Sequence, residues 1–197
     1  MTSVFFDIDT QLDFVSPAGA LYAPGAEGVI AAVERLNRHA ASHGIVIVST
    51  TDAHAENDVE FADWPPHCVA GSLGQRKPRA TLIDKSVVAP NLDVLPEVAG
   101  AAQIVIEKQT VNMFEARTVA PLLERLGADR FVVYGVVTEV CVWHAARGLL
   151  RYGKPVAVVT DAVHAFRPDS GERALAELRA AGAALVSIGD VLASSHA

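Results

Sequence analysis

The chain has 197 residues, of which 51% are hydrophobic and 20% charged; this composition excludes a disordered protein and suffices for one domain with a sizeable core. Its formal net charge of −7 leaves no basic face of the kind that a general nucleic-acid binder needs. Two cysteines are too few for a secreted disulfide scaffold, and no apolar run approaches the roughly 20 residues that span a bilayer.

The start of the chain lacks the features of a secretory signal. Residues 1–7 contain no basic segment and turn acidic after a few positions, so we interpret them as the start of a buried strand. The sequence therefore predicts a cytoplasmic protein without nucleic-acid or membrane partners. Since no linker, repeat or low-complexity tract interrupts the pattern, it also predicts a single domain over residues 1–197.

Apolar runs of strand length alternate with longer helical stretches. The predicted strands are residues 4–8, 45–49, 104–106, 131–134, 156–159 and 184–188. The predicted helices are residues 26–43, 116–126, 139–152 and 170–181. Each helix stops at a glycine and the strands are rich in Val and Ile, a combination typical of βαβ units. The sequence thus predicts an α/β fold, with three αβα layers around a six-stranded parallel sheet.

One long segment, residues 52–91, breaks this alternation. It is rich in Asp, His, Pro and Gly and has no sustained period. A loop of this length in a compact domain is usually functional, so we expect it to contribute to a site.

Cys141 is the first candidate for chemistry, because reactive groups gather at the carboxyl ends of parallel strands. It falls in the first turn of a predicted helix, with Thr138 as the predicted N-cap. Free N–H groups and the helix dipole favour an anion there, which predicts a stabilised thiolate. The alternative is a buried cysteine that only fills space, which is our interpretation of Cys68 in the long loop.

Two ionisable residues lie at other strand ends. Lys108 follows the strand at 104–106, where a lysine is costly to desolvate without a purpose; the alternative is a surface lysine paired with a neighbouring glutamate. Asp9 follows the first strand and could accept a proton from a thiol; the alternative is an aspartate that only makes a turn. Together with Cys141 they form an acid–base–nucleophile set.

A second group of residues has the composition of a metal site. Asp52 and His54 lie one residue apart at a strand end, and His67 follows two prolines that stiffen its approach. One carboxylate with two imidazoles suits Zn²⁺, Fe²⁺ or Mn²⁺. The alternative is loop histidines in solvent. Asp58 and Glu60 are candidates for a further ligand.

These residues match a known family. The segments at 9–14 (DTQLDF) and 135–142 (GVVTEVCV), together with Lys108, resemble the motifs of the isochorismatase-like cysteine hydrolases. The segments DAH at 52–54 and WPPHC at 64–68 are similar to the metal-binding segments of the nicotinamidase/pyrazinamidase type. The likeness extends over essentially the whole chain.

The resemblance implies roles for the residues of the first group. Asp9, Lys108 and Cys141 would be the catalytic aspartate, lysine and nucleophile. It also implies a cis peptide bond between Val136 and Val137, and an oxyanion hole made by the backbone N–H groups of Val137 and Cys141.

The resemblance also implies a substrate pocket and a metal. Phe14 and Trp64 would hold a pyridine ring, and Leu21 and Tyr22 would close the pocket. The metal, zinc first with iron or manganese as alternatives, would be held by Asp52, His54 and His67, and would orient the ring. Glu60, or in its place Asp58, would complete the metal shell.

The implied function is an amidohydrolase that converts nicotinamide to nicotinate and ammonia through a cysteine thioester, in the salvage of NAD. Two alternatives stay open: another hydrolase of the same fold, acting on an N-carbamoyl amine or an isochorismate-type substrate, and a catalytically silent homologue. The implied partner is a small carboxamide, and the alanine-rich helices would allow a homo-oligomer.

Overall fold

A seven-stranded sheet forms the centre of the computed structural model, which describes residues 2–194. The strands are β1 (Ser3–Ile8), β2 (Val46–Asp52), β3 (Ser86–Ala89), β4 (Gln103–Lys108), β5 (Arg130–Val136), β6 (Val156–His164) and β7 (Ala184–Val186). Their order is β3-β4-β2-β1-β5-β6-β7, and every neighbouring pair is parallel. The ends of the predicted 1–197 domain, residue 1 and residues 195–197, lie outside the described residues.

Helices cover both faces of this sheet. They are α1 (Leu12–Val15), α2 (Ile30–Ser42), α3 (Val119–Leu126), α4 (Trp143–Leu150), α5 (Pro168–Ala180) and α6 (Ile188–Ser194). Val4, Phe6 and Ile8 pack in one apolar cluster with residues of α3, α4 and α5, whereas Phe5 packs in the other with residues of α2 and α6. Alternate residues of a strand face opposite sides, so β1 contributes to two cores and the predicted three-layer α/β fold is confirmed.

The predicted strand number was wrong, since the sheet has seven strands rather than six. The additional strand, β3, lies in the segment predicted as a loop, and it pairs only with β4 at the edge of the sheet. Its Val88 is 52% exposed, so β3 lacks the continuous apolar run of a strand buried on both faces.

The end of the last strand was also predicted too late. β7 ends at Val186, and Ile188 begins α6 instead of continuing the strand. The Ser187 hydroxyl accepts a hydrogen bond from the Asp190 N–H, and the Asp190 carboxylate accepts one from the Ser187 N–H. This reciprocal pair is a capping box, which starts the helix. Of the helices within residues 2–194, none combines the length and apolarity that a membrane crossing requires.

The strand order brings four carboxyl ends together near the middle of the sheet. Asp52 of β2 lies beside Lys108 of β4, and Ile8 of β1 lies beside Gly135 of β5. Asp9 and the segment that leads to Cys141 follow directly. The sheet therefore gathers residues that are far apart in the sequence at one edge.

Candidate active site

Asp9 lies in the turn after β1 and is held by Thr50 of β2. Its φ is 45°, a conformation that few non-glycine residues adopt. Its N–H donates to the Thr50 carbonyl at 3.2 Å, and its Oδ1 accepts from the Thr50 hydroxyl at 2.6 Å. The carboxylate is 1% exposed, so Thr50 fixes one oxygen and leaves Oδ2 for other partners.

Lys108, the last residue of β4, lies between Asp9, Asp52 and Cys141. Its Nζ lies 2.9 Å from Asp9 Oδ2, 2.5 Å from Asp52 Oδ1 and 3.9 Å from Cys141 Sγ. It also donates to the Thr110 carbonyl at 3.0 Å. Since its side chain is 1% exposed, the surface lysine considered as an alternative is excluded.

The charges of this cluster support one another. Burial works to lower the pKa of Lys108, but the carboxylates of Asp52 and Asp9 raise that pKa well above its ordinary value. Burial raises the pKa of Asp9, although Lys108 opposes this. Lys108 is therefore a permanent cation, and the neighbouring Asp9 carboxylate binds a proton more readily than an exposed aspartate does.

Cys141 lies in a π-helical turn, Thr138–Val142, that precedes α4. The turn is not capped by a side chain and Thr138 is its first residue, so the predicted N-cap was wrong. Burial, reinforced by the charges of Asp9 and Asp52, raises the pKa of the Cys141 thiol well above its usual value, and Lys108 only partly opposes this. This direction is opposite to the predicted stabilised thiolate and favours a thiol whose proton is removed by a base.

The backbone before Cys141 is closely packed. The peptide bond between Val136 and Val137 is cis, as the resemblance implied. Gly135 has a φ of 117°, and a Cβ at this position would lie 2.1 Å from the Ile8 carbonyl oxygen. Only glycine allows β5 to approach β1 this closely, and this approach brings Cys141 to Asp9.

Asp52, His54 and His67 are buried and can place one ligand atom each within 4.8 Å of one another; we call them the metal triplet. The His54 N–H donates to the Cys68 carbonyl at 3.1 Å, which joins the two segments that carry the histidines. His67 Nδ1 lies 2.8 Å from the Pro65 carbonyl, and its Nε2 lies 3.8 Å from Asp52 Oδ2.

The triplet has the chemistry of a divalent metal site. His54 Nε2 is buried and has no hydrogen-bond partner among residues 2–194, a costly state for a nitrogen that binds nothing. His54 Nδ1 lies 3.2 Å from Asp58 Oδ2, an arrangement in which a carboxylate orients a ligating imidazole. Two imidazoles and a carboxylate fit zinc, iron or manganese.

The two candidates for a further ligand occupy different places. Asp58 contacts His54 from behind rather than joining the triplet. Glu60 lines the same cavity as Asp52 and His67, and its Oε2 is buried without a hydrogen-bond partner in the described part of the chain. Burial and the charge of Asp52 raise the pKa of Glu60 to about 7.

A small apolar cavity lies between the catalytic cluster and the triplet. Its volume is about 20 Å³, and Cys141, Asp52, His67 and Glu60 contribute its polar surface. The apolar side chains that line it are Phe14, Leu21, Trp64, Val111, Val137, Val140 and Phe166. Three of the four predicted pocket residues thus line it.

Tyr22, the fourth predicted pocket residue, does not line the cavity. Its hydroxyl donates to Glu27 Oε2 at 2.5 Å and accepts from the Gly25 N–H at 2.8 Å, so it fixes the neighbouring loop. Phe166 lines the cavity although sequence reasoning missed it; its position two residues beyond the carboxyl end of β6 was the available signal.

Gln11 was also missed, and it holds the end of β2. Its side-chain amide donates to the Asp52 carbonyl at 2.9 Å and accepts from the Asp52 N–H at 2.7 Å. Asp13 ties the segment at 9–14 to the long loop, because its Oδ2 accepts from the Cys68 N–H at 2.7 Å. This opening motif, residues 9–14, therefore positions the metal triplet as well as Asp9.

Comparison with known proteins agrees with this geometry. The family model described as the isochorismatase domain matches residues 3–190. The chain is 29% identical over 195 residues to the nicotinamidase/pyrazinamidase of Mycobacterium tuberculosis, with 91% of this chain and 95% of that protein covered. It is 28% identical over 176 residues to the maleamate amidohydrolase of Pseudomonas putida, with 87% of this chain and 76% of that protein covered. The crystal structure of the pyrazinamidase of Pyrococcus horikoshii in complex with zinc has a TM-score of 0.78 and 31% identity, over 95% of this chain and 99% of that chain. The chain therefore belongs to the isochorismatase family and is a homologue of its amide hydrolases.

Proposed function

We propose that this protein is a nicotinamidase, which hydrolyses nicotinamide to nicotinate and ammonia. One observation carries the proposal: Cys141 of the buried Asp9–Lys108–Cys141 cluster lines the same cavity as Asp52 and His67 of the buried metal triplet. The aromatic walls Phe14 and Trp64 suit a flat ring. The relatives from Mycobacterium tuberculosis and Pyrococcus horikoshii support the same activity.

The reaction begins with proton transfer from the Cys141 thiol to Asp9. The sulfur then attacks the carboxamide carbon, and the backbone N–H groups of Val137 and Cys141 stabilise the oxyanion that forms. Asp9 returns the proton to the departing nitrogen, so ammonia leaves and a thioester remains on Cys141. Lys108 offsets part of the negative charge of the cluster throughout, because it stays charged beside Asp9 and Asp52.

The second half of the reaction restores the enzyme. Asp9 accepts a proton from a water molecule, and the resulting hydroxide attacks the thioester carbon. The C–S bond breaks, the proton held by Asp9 returns to the sulfur of Cys141, and nicotinic acid leaves and gives its proton to the solvent as nicotinate. One water molecule is consumed and one ammonia molecule is released in each cycle.

The metal triplet would hold a divalent ion, with zinc as the first candidate and iron or manganese as alternatives. When bound, this ion supplies an electron-pair acceptor that suits the nitrogen of a pyridine ring. Glu60, which borders the same cavity, is the proposed further ligand.

The lining of the cavity favours a neutral amide over the anionic maleamate. A carboxylate substrate is usually held by an arginine or lysine side chain, and the described residues that line the cavity include neither. Lys108 already pairs with two carboxylates, and Glu60 adds an acidic group. The metal triplet likewise argues against an N-carbamoyl amine or an isochorismate-type substrate, because neither contains a pyridine nitrogen.

The proposal is tested by ammonia release from nicotinamide, pyrazinamide and maleamate, with Cys141→Ala as the inactive control. We expect release from the two ring amides, none from maleamate, and a loss of release after treatment with a chelator. Release from maleamate but not from nicotinamide would overturn the proposal, as would nicotinamide turnover by Cys141→Ala.

We also propose that the protein works in the cytoplasm and that its nicotinate enters pyridine nucleotide salvage. The two free cysteines, both buried, support a reducing compartment, because a thiol nucleophile is lost on oxidation.

A further inference from the structure

Phe166 stacks on Trp64 at the cavity, and neither ring belongs to the Asp9–Lys108–Cys141 cluster. The ring centroids are 6.1 Å apart and the ring planes differ by 25°. Both side chains line the cavity that contains Cys141. Trp64 comes from the long loop and Phe166 from the connection between β6 and α5, so two remote segments meet there.

The connection that carries Phe166 is anchored on both sides. His164 Nε2 lies 2.9 Å from the Pro24 carbonyl, and the Arg167 N–H donates to Glu139 Oε1 at 3.1 Å. Glu139 belongs to the same π-helical turn as Cys141. Phe166 is therefore fixed relative to the nucleophile, and Trp64 packs against a ring that cannot easily withdraw.

Phe166 and the metal triplet flank the catalytic groups on opposite sides. In the strand order, β2, which ends at Asp52, and β6, which precedes Phe166, enclose β1 and β5. Asp9 and Cys141 follow those two central strands. Trp64 and Phe166 nevertheless line the same cavity as Cys141, Asp52 and His67, so a ring whose carboxamide faces Cys141 and whose nitrogen faces the triplet would present its remaining edge to the Trp64–Phe166 pair.

We propose that Phe166 is a specificity-determining residue that limits the substrate to a single, unsubstituted six-membered ring. The proposal rests on the nicotinamidase function inferred above. The cavity volume of about 20 Å³ is far below the roughly 300–1,000 Å³ of pockets that hold drug-sized ligands. Carbon 5 of nicotinamide is remote from both the ring nitrogen and the carboxamide, so a substituent there meets the aromatic pair.

The test compares nicotinamide with 5-methylnicotinamide and 5-phenylnicotinamide in the metal-loaded wild type, Phe166→Ala and Phe166→Leu. Since one methylene in an apolar pocket changes kcat/KM by about 10–200-fold, we expect Phe166→Ala to raise the ratio of 5-phenylnicotinamide to nicotinamide turnover at least about tenfold. Phe166→Leu should give an intermediate ratio. Tyr152→Ala, which removes an aromatic ring that does not line this cavity, should leave the ratio unchanged.

A binding experiment keeps this inference separate from the proposed activity. Calorimetry measures the binding of nicotinamide and 5-phenylnicotinamide to Cys141→Ala and to Cys141→Ala/Phe166→Ala, which do not turn these amides over. We expect 5-phenylnicotinamide to bind only the double variant. Equal affinity for both proteins, binding to neither, or an unchanged turnover ratio in both Phe166 variants would overturn the inference. A wild type that releases no ammonia from nicotinamide would instead overturn the proposed function.

Discussion

In the proposed reaction, Cys141 depends on Asp9 to accept the proton of its thiol. The thiol is buried among carboxylates, which raise its pKa, and Lys108 is the counter-charge within reach. During turnover the thiol proton therefore needs an acceptor close to the sulfur that can later return it to the substrate. Asp9 has one oxygen fixed by Thr50 and the other directed at Lys108, which makes it a base of defined orientation.

Replacing Asp9 by asparagine separates thiol acidity from catalysis. The variant should lose turnover by a factor of about 10²–10⁴, the usual contribution of a general base. Its Cys141 should nevertheless react faster with iodoacetamide at pH 7 than in the wild type, because removal of a neighbouring negative charge lowers the thiol pKa. Mass spectrometry of the alkylated peptide measures the rate, and fully buried Cys68 is the internal control. Slower alkylation in Asp9→Asn would contradict this account.

At the scale of elements, the approach of β5 to β1 determines whether the two catalytic residues meet. Gly135 lies beside Ile8 in the strand register, and Asp9 and the turn that carries Cys141 follow them. A side chain at position 135 would therefore move these two segments apart.

Gly135→Ala and Gly182→Ala form a matched pair that tests this contact. Both glycines have positive φ, 117° and 104°, but an added Cβ meets the Ile8 carbonyl at position 135 and nothing within 4 Å at position 182. Gly182→Ala should lose about 1–2 kcal/mol of unfolding free energy through backbone strain, and Gly135→Ala about 1–3 kcal/mol more through overpacking. Urea denaturation measures the loss. Only Gly135→Ala should also lose activity, and equal losses in the two variants would contradict the argument.

The elements that the sequence predicted are those with strong periodic patterns. The central strands and the carboxyl ends that hold Asp9, Asp52 and Lys108 follow from apolar runs between helical stretches. Edge strand β3 was missed because exposed Val88 breaks its pattern. The π-helical turn around Cys141 was read as an ordinary capped helix start, since Thr138 is a typical capping residue.

Residues that line the cavity were harder to predict than the ionisable residues at the strand ends. A charged residue at a strand end is costly without a partner, so its presence is a signal. An aromatic residue in a loop carries no such signal, and Phe166 becomes recognisable only through its contact with Trp64. Tyr22 is the opposite case. It was predicted to close the pocket, but its hydroxyl is hydrogen-bonded within its own loop.

At the scale of the whole molecule, the metal triplet links the long loop to the sheet. Asp52 belongs to β2, whereas His54 and His67 lie in the following segment. Asp13 and Gln11 hold this segment through the Cys68 N–H and the Gln75 carbonyl. A bound ion would cross-link these parts in the folded protein only. Metal binding should therefore stabilise the entire fold by mass action.

Metal removal should accordingly lower the melting temperature. At a free-ion concentration one hundred times Kd the stabilisation is about 2.7 kcal/mol, which corresponds to about 5–10 °C for a protein of this size. The shift should vanish in His54→Ala. In Asp58→Asn it should persist with an affinity weaker by about 10–100-fold. Scanning calorimetry with and without chelator measures it, and an unchanged shift in His54→Ala would exclude this site.

The order of the strands has a consequence for the synthesis of the chain. β1 emerges from the ribosome first, yet one of its two neighbours, β5, begins only at Arg130. Until then the nascent chain has an unpaired central strand edge, which is a template for aggregation. Asp9, Lys108 and Cys141 also cannot meet before β5 is in place. A ribosome that stalls earlier thus releases a chain in which these three residues are not assembled. Such incomplete chains tend to aggregate, but they have no working nucleophile.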